Sequence, residues 1–241
     1  MIWRHVLCAG VLLLAAAACA VRPAKPDPTA AFVTVTSQPA NVGDAKIAAL
    51  AYHDDGRYDR DLATIADKAA EWVRNRAGGV AKPALVLDID ETSLSNWEVL
   101  KRDDFGRPVP GSCVPESDTP CGWAAWDLLG RDPAIVPTLR LFNLARSLNV
   151  MVFFITGRPE SQRAATERNL VDVGYRGFAT VYCVPNGSHF TTAVDFKAPI
   201  RAQIEQSGYT VIANVGDQPS DLVGGHAEKM FLLPDPFYRV P

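Results

Sequence analysis

The sequence predicts an α/β fold: a doubly wound parallel sheet, with a small insertion after the first strand and helices ahead of it. Three observations predict this. Five short apolar runs punctuate the chain, ALVLDI (84–89), VMVFFIT (150–156), FATVYCV (178–184), YTVIANV (209–215) and KMFLL (229–233), and the first four lack the in-out alternation of a solvated sheet. Helical apolar spacing separates most of them, at 133–148, 159–173 and 197–207, as βαβ units require. Polar residues gather at the carboxyl ends of the runs, Asp88 and Asp90, then Thr156 and Gly157, then Gly216 and Asp217, where such sheets bind their ligands.

Taken in order, residues 1–19 read as a leader. Arg4 and His5 form a positive head, and an apolar stretch of Val, Leu, Ala and Cys follows, too short to span a membrane comfortably. Cys19, preceded by AAA, resembles the lipid-modified cysteine of bacterial lipoproteins. Ala20, in place of the Asp that retains such proteins in the inner membrane, implies an outer-membrane site facing the periplasm. A plain signal peptide cut near Ala18 or Ala20 is the alternative. Residues 20–40, which include VRPAKPDPTA, form a semi-rigid tether, and the domain runs from 41 to 241. It opens with two helices between Asp44 and Arg76, broken at HDDGRYD and ended by Gly78 and Gly79. Residues 97–132, rich in Pro, Gly and Trp, form an irregular cap insertion able to fold over the ligand edge of the sheet.

The 241 residues are 48% hydrophobic, enough to close one sizeable core. Lys and Arg total 24 against 27 Asp and Glu, with no run of like charge. That excludes the field that gathers a nucleic-acid polymer and favours a small, diffusible substrate. An oxidising compartment permits disulfides. Cys113 and Cys121 are the natural pair, and closing so short a loop contributes about 2.5 kcal/mol in the chain-entropy model. Cys183 reads as a buried free thiol, with three reduced cysteines as the alternative. No CxxC accompanies them, which argues against zinc.

Each polar cluster alone has an ordinary explanation, since Asp and Thr are common in turns and caps. Together and in this order, DIDET, FFITGR, FKAPIR and VGDQPSDL resemble the four motifs of the haloacid dehalogenase (HAD) superfamily of phosphatases. VLDIDETSLSN, AYHDDGRYDRDL and the Trp-bearing insertion resemble its acid phosphatase subgroup, which contains bacterial class C lipoprotein phosphatases and plant vegetative storage proteins. The likeness runs from Asp44 to the C-terminus.

That resemblance implies an exported acid phosphatase that hydrolyses phosphomonoesters through an aspartyl-phosphate. A phosphate dianion beside carboxylates needs an intervening cation, and Mg2+ prefers such oxygen donors. Its implied ligands are the side chains of Asp88 and Asp217 and the backbone carbonyl of Asp90. Asp88 is the implied nucleophile. Asp90 protonates the leaving oxygen, so it starts the cycle protonated, and then activates water. Thr156 and the amides of Gly157 and Arg158 hold phosphoryl oxygens, with Pro159 placing them at a helix N-terminus. Lys197, opening a later helix, neutralises phosphoryl charge; Asp221 and Thr92 support the site.

Substrate choice falls to the insertion. Trp97, Phe105, Trp123 and Trp126 offer stacking surfaces for a base or aromatic leaving group, a nucleoside monophosphate among them, although Trp123 and Trp126, three apart, also have the spacing of packing residues. Tyr182, His189 and Phe190, around PNGSHF, are candidate leaving-group contacts or plain loop structure. A weakly active binding or storage protein, and a phosphotransferase, are the rival functions; the Asp at position 88 opposes the first.

Overall fold

The computed structural model describes residues 38–240 apart from residue 118. The expected leader, Cys19 and all but the last residues of the tether therefore lie outside the described residues. Helices α1 (Val42–Asp54) and α2 (Arg57–Ala77) precede β1 (Pro83–Leu87). Asn41 caps α1 by accepting hydrogen bonds from the Gly43 and Asp44 amides. The break at HDDGRYD is made by Gly56, whose φ of 75° lies in the left-handed region that favours glycine.

The insertion is not irregular throughout. It carries α3 (Trp97–Arg102) and α4 (Trp123–Leu129), and α5 (Val136–Ser147) leads to β2 (Met151–Pro159). β2 continues past Thr156, through Gly157 and Arg158, to Pro159. A 3-10 turn (Glu160–Gln162) follows, then α6 (Arg163–Asp172). The expected helix start at Pro159 is thus corrected: its fixed φ serves the strand end equally well, at φ −70° and ψ 158°. The chain then runs through β3 (Thr180–Val184), α7 (Val194–Gln206), β4 (Thr210–Gly216), α8 (Pro219–Leu222) and β5 (Met230–Leu232).

The five strands are parallel, in the order β3-β2-β1-β4-β5. β1 is central and every residue of it is buried, which accounts for its unbroken apolar run. Its side chains alternate between two cores. Leu85 and Leu87 join Val73 of α2, Phe142 of α5 and Leu170 of α6, whereas Ala84 and Val86 join Phe196 and Ile204 of α7. The chain leaves β1 for β2 and β3 on one side and returns to β4 and β5 on the other. Strand order thus reverses between β1 and β4, so the crevice for a ligand opens above the carboxyl ends of these two strands.

Candidate active site

Asp88 follows the last residue of β1, and its amide still donates to the Val215 carbonyl of β4 at 3.0 Å. Burial of the strand therefore fixes where that carboxylate emerges. A tight turn follows, in which the Ile89 carbonyl accepts the amides of Thr92, Ser93 and Leu94. Glu91 takes a φ of 52° within it, a conformation disfavoured by about 1–2 kcal/mol. Its buried carboxylate is held by the Asn96 amide at 2.5 Å and the Asn96 side chain at 3.2 Å. The turn brings Thr92 back so that its hydroxyl donates to Asp217 Oδ1 at 3.0 Å.

Asp88, Asp217 and Asp221 are all buried, and each offers a carboxylate oxygen within 4.8 Å of the others. Lys197 reaches between two of them, its Nζ 2.5 Å from Asp88 Oδ1 and 2.6 Å from Asp221 Oδ1. It is the fourth residue of α7, one turn in from the helix start. Burial and the neighbouring Asp221 push the Asp88 carboxyl up to about 7; burial, Asp221 and Asp88 push Asp217 well above the carboxylate range. Burial opposes the Lys197 charge, but Asp221 and Asp88 outweigh it and raise its pKa. With all three carboxyls ionised, one ammonium leaves two negative charges uncompensated, which a divalent cation would neutralise. The oxygen-only donor set fits a hard cation. Asp221, expected in a supporting role, belongs to this cluster.

Residues of FKAPIR and VGDQPSDL for which no role was expected hold Asp221 there. Gln218 donates its amide to Asp221 Oδ2 at 2.9 Å. Arg201, wholly buried in α7, donates to the carbonyls of Asp221, Val223 and Gly225. Gly216 is required by close approach: a Cβ there would lie 2.4 Å from Asp221 Cβ.

Asp90 stands apart from the cluster. Arg158 Nη2 donates to Asp90 Oδ1 at 2.7 Å, Arg158 Nε at 3.1 Å and Asn96 Nδ2 at 2.9 Å. Burial works to raise its pKa, but Arg158 wins and holds the carboxyl below the usual range. The guanidinium thus favours the ionised form of Asp90, whereas a proton donor at the start of the cycle needs the protonated one. Arg158 ends the FFITGR stretch, but no local pattern says that its side chain turns toward Asp90, beyond β1.

Thr156 is wholly buried, and its Oγ1 accepts the Arg158 amide at 3.1 Å. That amide is therefore engaged, whereas Gly157 is exposed and lines the cavity. The cavity above the strand ends measures about 590 Å³ and is lined by Asp88, Asp90, Lys197, Asp217 and Asp221 among others. Its outer wall includes Trp123, Asp127 and Tyr238, and its far side His189 and Phe190. The Arg107 guanidinium lies 4.9 Å from the Trp123 ring and 5.5 Å from that of Tyr238.

The other aromatic candidates do not reach this cavity. Trp97 stacks on His53 at 3.6 Å, with Phe105 and Phe237 beside it. Trp126 is buried, and its Nε1 donates to Asp132 at 2.6 Å. Tyr182 packs against Phe153. These are packing residues: α3 and α4 present Trp97 and Trp126 to the core, Phe105 packs on Trp97 just beyond α3, and Tyr182 stands on β3 against Phe153. Cys113 and Cys121 form a disulfide across the insertion loop, and Cys183 is a buried free cysteine.

A family model described as HAD superfamily, subfamily IIIB (Acid phosphatase) matches residues 16–241. The chain belongs to that family of acid phosphatases. The subfamily IIIB chain is 29% identical over 185 residues to Acid phosphatase 1 of Solanum lycopersicum, covering 76% of this chain and 69% of that one. It is 30% identical over 187 residues to the Stem 28 kDa glycoprotein of Glycine max, covering 76% and 70%. Its fold is similar to that of the class C acid phosphatase from Bacillus anthracis, with a TM-score of 0.63 at 20% identity over 81% of this chain and 85% of that one. The acid phosphatase is thus a phosphomonoesterase of small phosphate esters.

Proposed function

We propose that this acid phosphatase is exported, depends on Mg2+, and hydrolyses phosphomonoesters through a phosphoryl group carried on Asp88. The observation that carries the proposal is the buried cluster of Asp88, Asp217, Asp221 and Lys197 at the switch point of the sheet, with Asp90 held separately by Arg158. Asp88, Asp217 and the Asp90 carbonyl, with Asp221 adjoining, would hold the cation. When bound, it would supply positive charge that lets phosphate approach these carboxylates.

In the first step an Asp88 carboxylate oxygen forms a bond to phosphorus as the bond to the ester oxygen breaks. The departing electron pair takes a proton from Asp90. Arg158 keeps Asp90 ionised when the site is empty, so that proton arrives at acidic pH or with a substrate monoanion, whose second pKa is about 6. In the second step Asp90 accepts a proton from water, the water oxygen bonds to phosphorus, and the bond to Asp88 breaks. Inorganic phosphate leaves and Asp88 is restored. Lys197 balances the phosphoryl charge throughout, and Gly157, with Thr156 behind it, forms the phosphate-facing end of β2.

Residues 1–19 as a leader, 20–40 as a tether and 97–132 as a cap complete the proposed organisation, with a lipid anchor on Cys19 as the membrane attachment. A cleavable signal peptide and a soluble exported form are the alternative. The wall formed by Trp123, Tyr238 and Arg107 accommodates a flat leaving group, such as an aryl ring or the base of a nucleoside monophosphate. Assays of the mature chain on a panel of phosphomonoesters, with Mg2+ and with chelator, test the proposal alongside Asp88→Asn. Cation-dependent release of phosphate, abolished by Asp88→Asn, is the expected result. Unchanged turnover in that variant sinks it. A Cys19→Ala chain that still partitions with membranes would remove the anchor alone.

A further inference from the structure

Arg158 is held against Asp90 from behind by the insertion. Its Nη2 lies 3.0 Å from Asp132 Oδ2 and 3.4 Å from Asp127 Oδ1, and the same nitrogen, together with Nε, donates to Asp90. Asp127 belongs to α4, and Asp132 follows that helix. Asp132 is wholly buried and fixed on three sides: Trp126 Nε1 donates to its carboxylate at 2.6 Å, its amide donates to Asn169 Oδ1 at 3.0 Å, and its carbonyl accepts from Asn169 Nδ2 at 2.8 Å. Thr166 of α6 adds a weaker contact to Arg158 Nη1 at 3.4 Å.

A guanidinium lining a phosphate pocket has an obvious competing partner, because its fork pairs with phosphate as well as with carboxylate. Two carboxylates behind it and one in front hold it out of that exchange. We infer that Asp132 and Asp127 are positioning residues: the insertion, through them, keeps the Arg158 guanidinium on Asp90 and so fixes Asp90 where it meets the leaving oxygen. The inference rests on the proposed role of Asp90 as proton carrier. It gives the insertion a part in the chemical step besides shaping the pocket. It also accounts for the Asp127 oxygen, which is buried with no hydrogen-bond partner among the described residues and has only the ionic contact with Arg158. Displacing a reacting group by about 1 Å reduces rates by about a hundredfold, so small losses of this support become visible in turnover.

The test compares two esters that differ in their need for a proton. 4-Nitrophenyl phosphate releases a stabilised phenolate unaided; glycerol 2-phosphate releases an alkoxide that requires protonation. The ratio of their kcat/KM values reports the first phosphoryl transfer alone, and any unfolded fraction cancels from it. Asp90→Asn is the reference, and Asp132→Asn, Asp127→Asn and Trp126→Phe are the probes, the last two serving even where Asp132→Asn fails to fold. The ratio, nitrophenyl over glycerol ester, is expected to rise about tenfold or more in Asp132→Asn, less in the other two, and most in Asp90→Asn. A ratio within about twofold of wild type in every insertion variant, while Asp90→Asn raises it, overturns the inference and leaves the proposed mechanism standing. A ratio unchanged in Asp90→Asn itself removes Asp90 as the proton donor, and the inference with it.

Discussion

The Nζ of Lys197 lies 2.5 Å from Oδ1 of Asp88, and both side chains are largely buried at the floor of the cavity. A buried ion pair is a weak source of net stability, but removing one partner alone destabilises a protein by about 3–5 kcal/mol. Lys197→Met leaves Asp88, Asp217 and Asp221 with no ammonium among them. In chelator the variant is expected to lose stability on that scale. Adding Mg2+ is expected to raise its melting temperature more than it raises that of wild type. Equal shifts in the two proteins would contradict a shared site for the ammonium and the cation.

Stability without metal is expected to fall as pH rises from about 4 toward 7. Burial raises Asp88 and Asp127 to about 7 and Asp235 to about 6, and Asp217 higher still. A carboxyl with a raised folded-state pKa binds its proton more tightly in the native than in the unfolded chain. Its contribution is complete below the unfolded pKa of about 4 and is lost as pH climbs through the folded value. Asp90, lowered by Arg158, acts in the opposite sense but is outnumbered. Denaturant midpoints at pH 5 and pH 8, with chelator and with Mg2+, check this; the gain from Mg2+ should be larger at pH 8.

Gly216→Ala places a Cβ 2.4 Å from Asp221 Cβ and 2.5 Å from its Oδ2. Relief requires Asp221 to shift from the place where it meets Lys197. Overpacking of this kind destabilises by about 1–3 kcal/mol, and activity is expected to fall more steeply than thermal stability. A variant with wild-type kcat would show that the position of Asp221 does not matter.

Trp123 and Trp97 should separate cleanly. Trp123 lines the cavity, and Trp123→Ala is expected to raise KM for aryl esters more than for alkyl esters. Trp97 packs between His53 and Phe237 outside it, so Trp97→Ala should lower stability by about 3 kcal/mol and leave the KM ratio of the two esters unchanged.

Reducing the Cys113–Cys121 bond should loosen the insertion before the sheet. The loop it closes is also held by Arg102, whose Nε and Nη2 donate to the Thr119 and Val114 carbonyls at 2.7 Å. Loss of the crosslink is expected to remove about 2.5 kcal/mol. Hydrogen exchange should quicken at 106–122 on adding reductant while β1 and β4 amides stay protected. Uniform quickening would show that the bond supports the whole domain.

The parallel sheet, its strands and the four motifs were legible because each rests on local pattern: an apolar run, a helical spacing, a carboxylate at a strand end. Asp88, Asp90, Lys197, Asp217 and Asp221 line the cavity, as the motif order implied, because β1, α7 and β4 deliver them to one edge. Pro159 misled because proline suits a strand end as well as a first helical turn. Trp97 misled because an aromatic near a site gives no sign of which way α3 turns it. Asp132 and Tyr238 gave no signal, and Arg201 ends FKAPIR without any sign of what it holds, since what they do depends on chain segments far from them in sequence.

By itself, then, the sequence determined the acid phosphatase family through its four motifs, and the fold class and the edge that gathers the carboxylates through its unbroken apolar strands, which can only be buried side by side with their ends sharing an edge. Tertiary structure alone decided the state of those carboxylates. The Lys197 ammonium between Asp88 and Asp221, and the Arg158 guanidinium on Asp90 with Asp127 and Asp132 behind it, exist only once water is excluded. In that low dielectric, a contact between residues 68 positions apart, as in Arg158 and Asp90, sets protonation more strongly than anything adjacent in the chain.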